Sequence, residues 1–285
     1  MTNADEATSM DAVTDLTTAP PAVEAAAAAR AAGVTVRDLT AIDDFAAVCA
    51  LFRDIWQTDP GSPLVTTELL RALTKAGNYL AGAVDGDRLV GACVGFFGAP
   101  ADGTMHSHIA GVSSVAAGRS VGYALKLHQR AWALRRGVTA IAWTFDPLVA
   151  RNAWFNLGKL GAATTEYLPN FYGGMHDVVN GGDDTDRLLV HWDLRHRTAF
   201  TGVPAHAVVA LGRTADGAPE PGVTAGETLL VAVPSDIEAM RAASPSRAKE
   251  WRVAVRDVLG GLLADGARVA GFDRAGWYVV TREGR

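Results

Sequence analysis

Two histidines separated by one residue stand in an apolar stretch, Met105-His106-Ser107-His108-Ile109-Ala110-Gly111-Val112. Strand alternation puts His106 and His108 on one face, with Ser107 and Ile109 on the other. A run of small residues from Ser113 to Arg119 follows, then a helical pattern from Val121 to Arg135. Two imidazoles beside a loop of backbone amides that opens a helix suit removal of a proton next to a phosphate-bearing cofactor. Imidazole titrates near neutrality, and the amide end of a helix attracts anions. A His-x-His can equally fill a wet strand face and do no chemistry, so its surroundings decide.

Those surroundings read as alternating helices and strands. Ala22 to Ala32 is a strong helix former closed by Gly33, and Val34 to Leu39 alternates like a strand. Thr40, with Asp43 three residues on, predicts the start of a helix whose stripe is Ile42, Phe45, Cys49, Phe52 and Trp56. Thr67 to Ala76 is a second short helix. Asp85-Gly86 between the apolar runs Tyr79 to Val84 and Leu89 to Phe97 predicts a hairpin. After the histidine strand and the Val121 helix come the apolar strand Thr139 to Phe145, a helix from Asn152 to Leu160 and a strand from Leu188 to Leu194. The order predicts an α/β protein with a mixed sheet.

Beyond it, Pro204 to Gly226 reads as a connecting excursion. Glu227 to Val233 is a strand, Ser235 caps a short helix, Ser246 to Ala264 is the longest amphipathic helix, and Arg268 to Phe272 with Trp277 to Thr281 is a closing hairpin. The division is a disordered acidic tail over 1–20, a main domain over 21–195, and a C-terminal α/β extension over 196–285 that packs on the main domain.

Composition narrows the function. The chain has 285 residues, 49% hydrophobic and 20% charged, with a net charge of −5. Asp5, Glu6, Asp11 and Asp15 carry four of those charges in the first twenty residues, leaving a nearly neutral remainder that argues against nucleic acid. No apolar run is long enough to span a membrane and no basic leader opens the chain, so a cytoplasmic protein is expected. Cys49 and Cys93 both lie in apolar runs and read as reduced, buried thiols rather than metal ligands.

The stretch Val112-Ser113-Ser114-Val115-Ala116-Ala117-Gly118-Arg119-Ser120-Val121-Gly122-Tyr123-Ala124 resembles the acyl-CoA-binding motif of the GCN5-related N-acetyltransferase (GNAT) superfamily. There a strand leads into an Arg/Gln-x-x-Gly-x-Gly/Ala loop whose amides bind the pyrophosphate at a helix N-terminus. Two registers fit. Aligned on Gly122 as the last glycine, the motif's Arg/Gln falls on Ala117 and its first glycine on Ser120; shifted by two, Arg119-x-x-Gly122-x-Ala124 matches in full. The first keeps the helix start in place and is preferred.

The resemblance covers roughly Val34 to Leu194 and implies acetyl-CoA or succinyl-CoA as co-substrate, with no metal. Gly111, Val112, Ala117, Gly118, Arg119, Ser120, Val121 and Gly122 are implied to bind it; Asn152 and Asn156, one helical turn apart, could face its pantetheine arm or simply cap and solvate their helix. His106 and His108 resemble the histidine pair that deprotonates the amine in arylalkylamine N-acetyltransferases, and a main-chain amide near Gly111 or Val112 would hold the oxyanion. The superfamily's general-acid Tyr falls on Leu157, so Tyr167 and Tyr172 become candidates for that role. The stretches Thr144 to Asn156, Tyr167 to Gly173 and Asp183 to Leu194 resemble a bacterial subgroup with a C-terminal extension, which implies acylation of amino acids, including N-succinylation.

Trp143, Asp146 and Arg151 are the substrate-binding candidates, with Arg151 as a carboxylate clamp; Asp146 and Arg151 could instead pair with each other and fix a turn. Asp186 and Arg187 read as exposed strand-end charges. Trp56, Trp132, Trp154, Trp192, Trp251 and Trp277 read as core. His128, His176, His191, His196 and His206 read as ordinary surface or helix histidines. The expected activity is direct acyl transfer to a small primary amine or amino acid, with no covalent intermediate, in a protein for which a homodimer is an open option. A non-catalytic acyl-CoA-binding module is one alternative. An enzyme fed by a carrier protein is another, and it requires a basic patch beside Arg119 and Lys126.

Overall fold

A computed structural model describes residues 13–15, 20–58, 61–173 and 183–282. His176 and the expected tail, apart from 13–15 and Pro20, lie outside the described residues. Val13–Asp15 forms β1. The Ala-rich helix α1 (Pro21–Ala31) starts on a proline and ends at Gly33, whose φ of 65° reverses the chain into β2 (Thr35–Asp38). Helix α2 (Ile42–Trp56) begins one residue later than Thr40 predicts. Its cap is Asp44 rather than Asp43: the Asp44 carboxylate accepts from the amides of Thr40 and Ala41, each at 3.1 Å. Phe45, Val48, Leu51 and Phe52 form the buried stripe, while Ile42 is exposed. Helix α3 (Thr67–Lys75), β3 (Tyr79–Asp85), β4 (Arg88–Phe97), β5 (Thr104–Val112), α4 (Val121–Leu134) and β6 (Ala140–Phe145) follow. Helix α5 (Ala150–Ala153) widens into a π-helical turn over Trp154–Lys159. Strand β7 (Ala163–Leu168), absent from the sequence reading, precedes β8 (Arg187–Asp193).

These strands make a seven-stranded sheet in the order β2-β3-β4-β5-β6-β8-β7. Every neighbouring pair is antiparallel except β5 and β6. Side chains alternate between two helical layers. Tyr79, Ala81 and Ala83 pack with α1 and α4, whereas Leu80, Ala92 and Val94 pack with α2 and α3. The mixed α/β sheet is the one the element order predicts.

The C-terminal part departs from expectation. Strand β9 (His196–Thr198) pairs with β1. The stretch read as a connecting excursion contains β10 (Val208–Arg213) and β11 (Pro219–Pro221). With β12 (Thr228–Ala232), β13 (Arg268–Asp273) and β14 (Trp277–Thr281), they form a separate five-stranded sheet, order β11-β10-β12-β14-β13. Helix α6 (Ile237–Ala243) is capped by Asp236, which accepts from the Ala239 amide at 2.9 Å, not by Ser235. Helix α7 (Pro245–Val255) runs through a π-helical turn (Arg256–Gly260) into α8 (Gly261–Ala264). The apolar core is continuous across both parts, joining Leu157, Leu160 and Val190 to Trp251, Val255 and Leu259.

Buried charges bolt the two parts together. Asp146, at the end of β6, accepts from Arg241 Nη2 at 2.6 Å and from Arg252 Nη1 and Nη2 at 2.9 Å. Asp183 accepts from the same two guanidiniums at 3.3 and 3.1 Å. Burial alone would raise the Asp146 carboxyl; Arg252 and then Arg241 overcome it and hold that carboxyl well below the usual carboxylate range. A depressed folded-state pKa contributes stability above the unfolded value of about 3.9 and loses it as pH falls below. Asp146→Asn should therefore lower the denaturation free energy by about 3–5 kcal/mol at neutral pH. It should also flatten the acid-side loss of stability that the wild type shows below about pH 4 in denaturant titrations.

Candidate active site

The parallel pair β5–β6 is hydrogen-bonded over Thr104↔Ala140, Met105↔Ile141 and His106↔Ala142, and then the strands part. Strand β6 stays paired to β8 as far as Phe145, and β5 to β4 as far as Val112, so the opening is a wedge inside the sheet. The wedge is a cavity of about 300 Å³, walled by Ser107, His108, Ala110, Gly111 and Val112 on one side and Trp143, Thr144 and Phe145 on the other. Gly122, Leu125 and Lys126 of α4, with Asn152, Phe155 and Asn156 after β6, complete it.

The histidine strand is not regular. Its register steps from Gly95↔Ser107 to Val94↔Ile109, which leaves His108 as the extra residue of a β-bulge. Ile109 consequently packs with α2 and α3, while Ser107 remains on the α4 face. His106 lies opposite Phe96, its ring centroid 5.2 Å away, and the two imidazoles are 6.4 Å apart. Burial, then the charges of His108 and Lys126, push the His106 imidazolium below its ordinary value; burial does the same for His108. Both are therefore neutral, base-competent rings at neutral pH. The sequence signal for the bulge is Gly95, a glycine inside the partner strand.

Beyond the bulge the backbone itself faces the gap. The Ser113 amide donates to Val90 O at 2.9 Å, and alternation along an antiparallel ladder turns the Gly111 amide to β4 as well. The amides of Ala110 and Val112 point the other way, into the wedge. Gly111 meets a different demand: a Cβ there would lie 2.7 Å from the Trp56 ring and 2.8 Å from Ile55, so α2 can approach only a glycine.

At the open end Ser120 adopts φ 64° and α4 begins at Val121. Among the described residues the amides of Ser120, Val121 and Gly122 make no hydrogen bond within the chain, while Ala117 and Arg119 donate to Ser114 O and Ala116 O. Three open amides at a helix start form an anion cradle. Lys159, which the sequence reading passed over, stands 3.4 Å from Ser120 Oγ and stacks on Tyr123. Arg119 is turned away. Its guanidinium bonds Asp85 at 2.7 Å and the carbonyls of Ala32 and Gly33. Of the loop from Ala117 to Gly122, only Gly122 lines the cavity. Lys126 is buried and Arg119 is engaged, so the basic surface patch that a carrier protein would need is not formed by these two residues.

The remaining candidates divide. Asn152 and Asn156 line the cavity, and Asn156 Oδ1 accepts from Trp143 Nε1 at 3.2 Å. Leu157 is buried. Tyr172 reaches the rim, its hydroxyl 3.0 Å from Thr144 Oγ1. Tyr167 lies two strands away on β7, donating to Asp186 Oδ2 at 2.7 Å; burial and that carboxylate push its phenol far up. Asp146 and Arg151 are not at the cavity and do not pair with each other. The first is consumed by Arg241 and Arg252, the second by Glu238 of α6. Asp186 and Arg187, expected exposed, are buried: Arg256 Nε and Nη2 bond Asp186 at 2.9 and 2.6 Å. Among the described residues no His, Cys, Asp or Glu cluster is arranged to hold a metal, and no helix is long and apolar enough to cross a membrane.

The chain is similar in structure to an N-acetyltransferase from Staphylococcus aureus Mu50, at 15% identity and TM-score 0.46 over 56% of this chain and 98% of that one. It is similar also to yncA from Salmonella typhimurium, solved with its cofactor acetyl-CoA (17% identity, TM-score 0.46, 57% and 94% covered). A third is the acetyltransferase of the GNAT family from Streptococcus pneumoniae (13%, TM-score 0.46, 55% and 97%). No family model matches the chain, and no curated protein matches it.

A Cβ at Gly122 would meet only Val112 Cγ2, at 3.8 Å, so a side chain fits without disturbing the fold. Gly122→Val should keep the wild-type melting temperature yet cover the cradle amides. If these amides hold the pyrophosphate of a CoA, the stabilisation that added CoA gives the wild type in a thermal-shift titration should disappear in the variant; its survival would mean the cradle is elsewhere.

Proposed function

We propose that the chain is an acyl-CoA-dependent N-acyltransferase that moves an acyl group from the thioester to a small primary amine. The observation that carries this reading is the wedge between β5 and β6, with open helix-start amides at one end, the neutral imidazole of His108 on its wall and that of His106 beside it on the opposite face of the sheet. Such a wedge accepts an extended, amide-bearing arm, because the main-chain groups that β5 and β6 no longer give each other are free to hydrogen-bond it.

The amides of Ser120, Val121 and Gly122 would take the pyrophosphate, with Lys159 supplying a positive charge beside them. Asn152 and Asn156 offer polar groups along the arm. His106 and His108 would accept the ammonium proton, and the amine nitrogen would then attack the thioester carbon directly. As the C–N bond forms, the amide of Ala110 or Val112 would hold the oxyanion. The C–S bond then breaks, and the departing thiolate takes a proton. Tyr172, held at the rim by Thr144, is the nearest candidate to give it. An amino-acid acceptor, the finer expectation, finds no carboxylate clamp in Arg151, which is spent on Glu238.

If the histidine pair relays the proton, His106→Ala and His108→Ala should each be partly covered by the other, and the double variant should lose about 10²–10⁴-fold in kcat/KM at neutral pH. Because both pKa values lie below the ordinary 6.5, the wild-type acid limb should fall below that pH. The loss in the double variant should shrink as pH nears the pKa of the amine. Profiles of unchanged shape in all three variants, with lowered melting temperatures, would give the pair a structural role only.

A further inference from the structure

Among the tyrosines only Tyr172 comes near the cavity, and its hydroxyl stands at an exposed rim. The cavity wall itself carries a second proton source, Lys126 of α4. It is 5% exposed, and its Nζ donates to Ser107 Oγ at 2.8 Å and to Gln129 Oε1 at 3.3 Å. Gln129 is fixed in turn, its Nε2 donating to Cys93 Sγ at 3.3 Å. An ammonium has three donors, and among the described residues the third finds no oxygen or nitrogen acceptor. It has the Trp143 ring, whose centre lies 3.8 Å from Nζ and whose indole N–H is anchored on Asn156.

This setting suits a group that loses a proton and regains it. If the third N–H departs, the two that remain still serve Ser107 and Gln129, so the neutral amine orphans no buried partner. The titratable groups that face Lys126 are Cys93 of β4 and His106 of β5, with His108 on the same wall. Burial pushes the Cys93 thiol up and both imidazolium groups down, so all three are neutral and none is a counter-ion. Burial brings Lys126 down to about 8. A desolvated ammonium is costly unless an anion meets it, and the anion that acyl transfer leaves behind is a thiolate. An alkyl thiol of the cysteine kind titrates at about 8.5, so a proton passes between the two with little bias either way.

Lys126 also stands beside the other groups that the reaction needs. Its Nζ is held by Ser107, one residue from His108 and three from Ala110, so ammonium, base and oxyanion amide follow one another along β5. In the cavity of about 300 Å³ that they share, a sulfur bonded to the carbon under attack is reached directly or through one water.

We propose that Lys126 is a catalytic residue, the acid that protonates the departing thiolate. This rests on the acyl-CoA reading and goes beyond it by placing the proton donor inside the cavity. The nitrogen of an ammonium loses two protons on becoming an amide. The histidine pair takes the first before attack, and the second leaves once the C–N bond has formed. As the C–S bond breaks, its electron pair stays on sulfur, which takes a proton from Lys126. The neutral lysine is reloaded with one of the two protons that the nitrogen shed, and the other passes to solvent.

The test compares the full wild-type chain with Lys126→Met, Lys126→Gln and Tyr172→Phe, with one simple primary amine as acceptor. The donors are acetyl-CoA and S-phenyl thioacetate, whose aryl thiol is far more acidic than an alkyl thiol and leaves without help. The expected result is a loss of about 10²-fold in kcat/KM for acetyl-CoA in both Lys126 variants, with the affinity for CoA unchanged. On S-phenyl thioacetate wild type and variants should be nearly equal. Wild-type kcat/KM for acetyl-CoA should fall as pH rises through about 8, where Lys126 gives up its proton, and the variants should lack that limb. Lys126→Gln still offers Ser107 a polar partner and carries the comparison if Lys126→Met folds poorly. If neither folds, the wild-type limb and Tyr172→Phe decide.

No loss in the Lys126 variants, or an equal loss on both donors, would overturn the proposal and leave Lys126 a structural role. A loss in Tyr172→Phe that the aryl thioester repairs would overturn it by moving the acid to the rim. Wild-type turnover with no limb near pH 8 would overturn it too, and in all these cases the acyl-CoA reading survives. If the wild type neither binds CoA nor uses acetyl-CoA, that reading falls and the proposal falls with it.

Discussion

The parting of two parallel strands after three residue pairs is the constraint on which the rest of the site depends. A sheet interior normally leaves no main-chain donor or acceptor unpaired, because each orphan costs free energy. Here β5 and β6 turn unpaired edges toward each other across a space wide enough for a ligand but too wide for a ladder. The bulge at His108 breaks the regular course of β5, and Trp143 of β6 and Lys126 of α4 meet on the wall of the gap. The amides of Ala110 and Val112 and the side chains of Asn152 and Asn156 are then the polar lining of an otherwise apolar slot.

The surrounding helices are arranged to suit that slot. Helix α4 brings its first amides to one end and Lys126 to the other, because one turn of helix and one lysine arm reach back along β5. Helix α2 can come close only because Gly111 lacks a side chain, which places Trp56 directly against the strand that carries the histidines. The two faces of the sheet thereby acquire different characters. The α4 face holds a polar, buried cluster of Ser107, Gln129, Cys93 and Lys126, and the other presents aromatic and imidazole rings.

Much of this was legible from residue order alone. Period-2 and period-3.6 patterns locate the main strands and helices, the Asp85-Gly86 turn predicts its hairpin, and the strand–loop–helix–strand order predicts the parallel pair. Less visible was anything set by distant partners. Asp146 and Arg151 have the right chemistry for a substrate site, yet Arg241, Arg252 and Glu238, about a hundred residues on, claim them. Asp186 and Arg187 look exposed by position, but Tyr167, Asn170 and Arg256 close over the first and Tyr172 stacks on the second. Strand β7 is polar on its exposed positions and gives no clear alternation, and the Gly- and Pro-rich run from 204 to 226 hides two strands inside turn-forming residues. Nor does the sequence show that Lys126 is buried, because Ser107 and Trp143, which close over it, come from two other strands.

The loop that carries Tyr172 to the cavity rim is tied down from behind. Thr185 bonds the amide of Tyr172 and the carbonyl of Gly173, Asp186 bonds the amide of Asn170, and Arg256 of the extension grips Asp186 and Asp184. The doorway is therefore hung on a hinge-post that belongs to a different part of the chain. In a lineage with this architecture, the shape of the rim could drift through exchanges in the C-terminal sheet and its helices while every residue of the slot stayed the same. Sequence comparison confined to the slot would miss where such divergence originates.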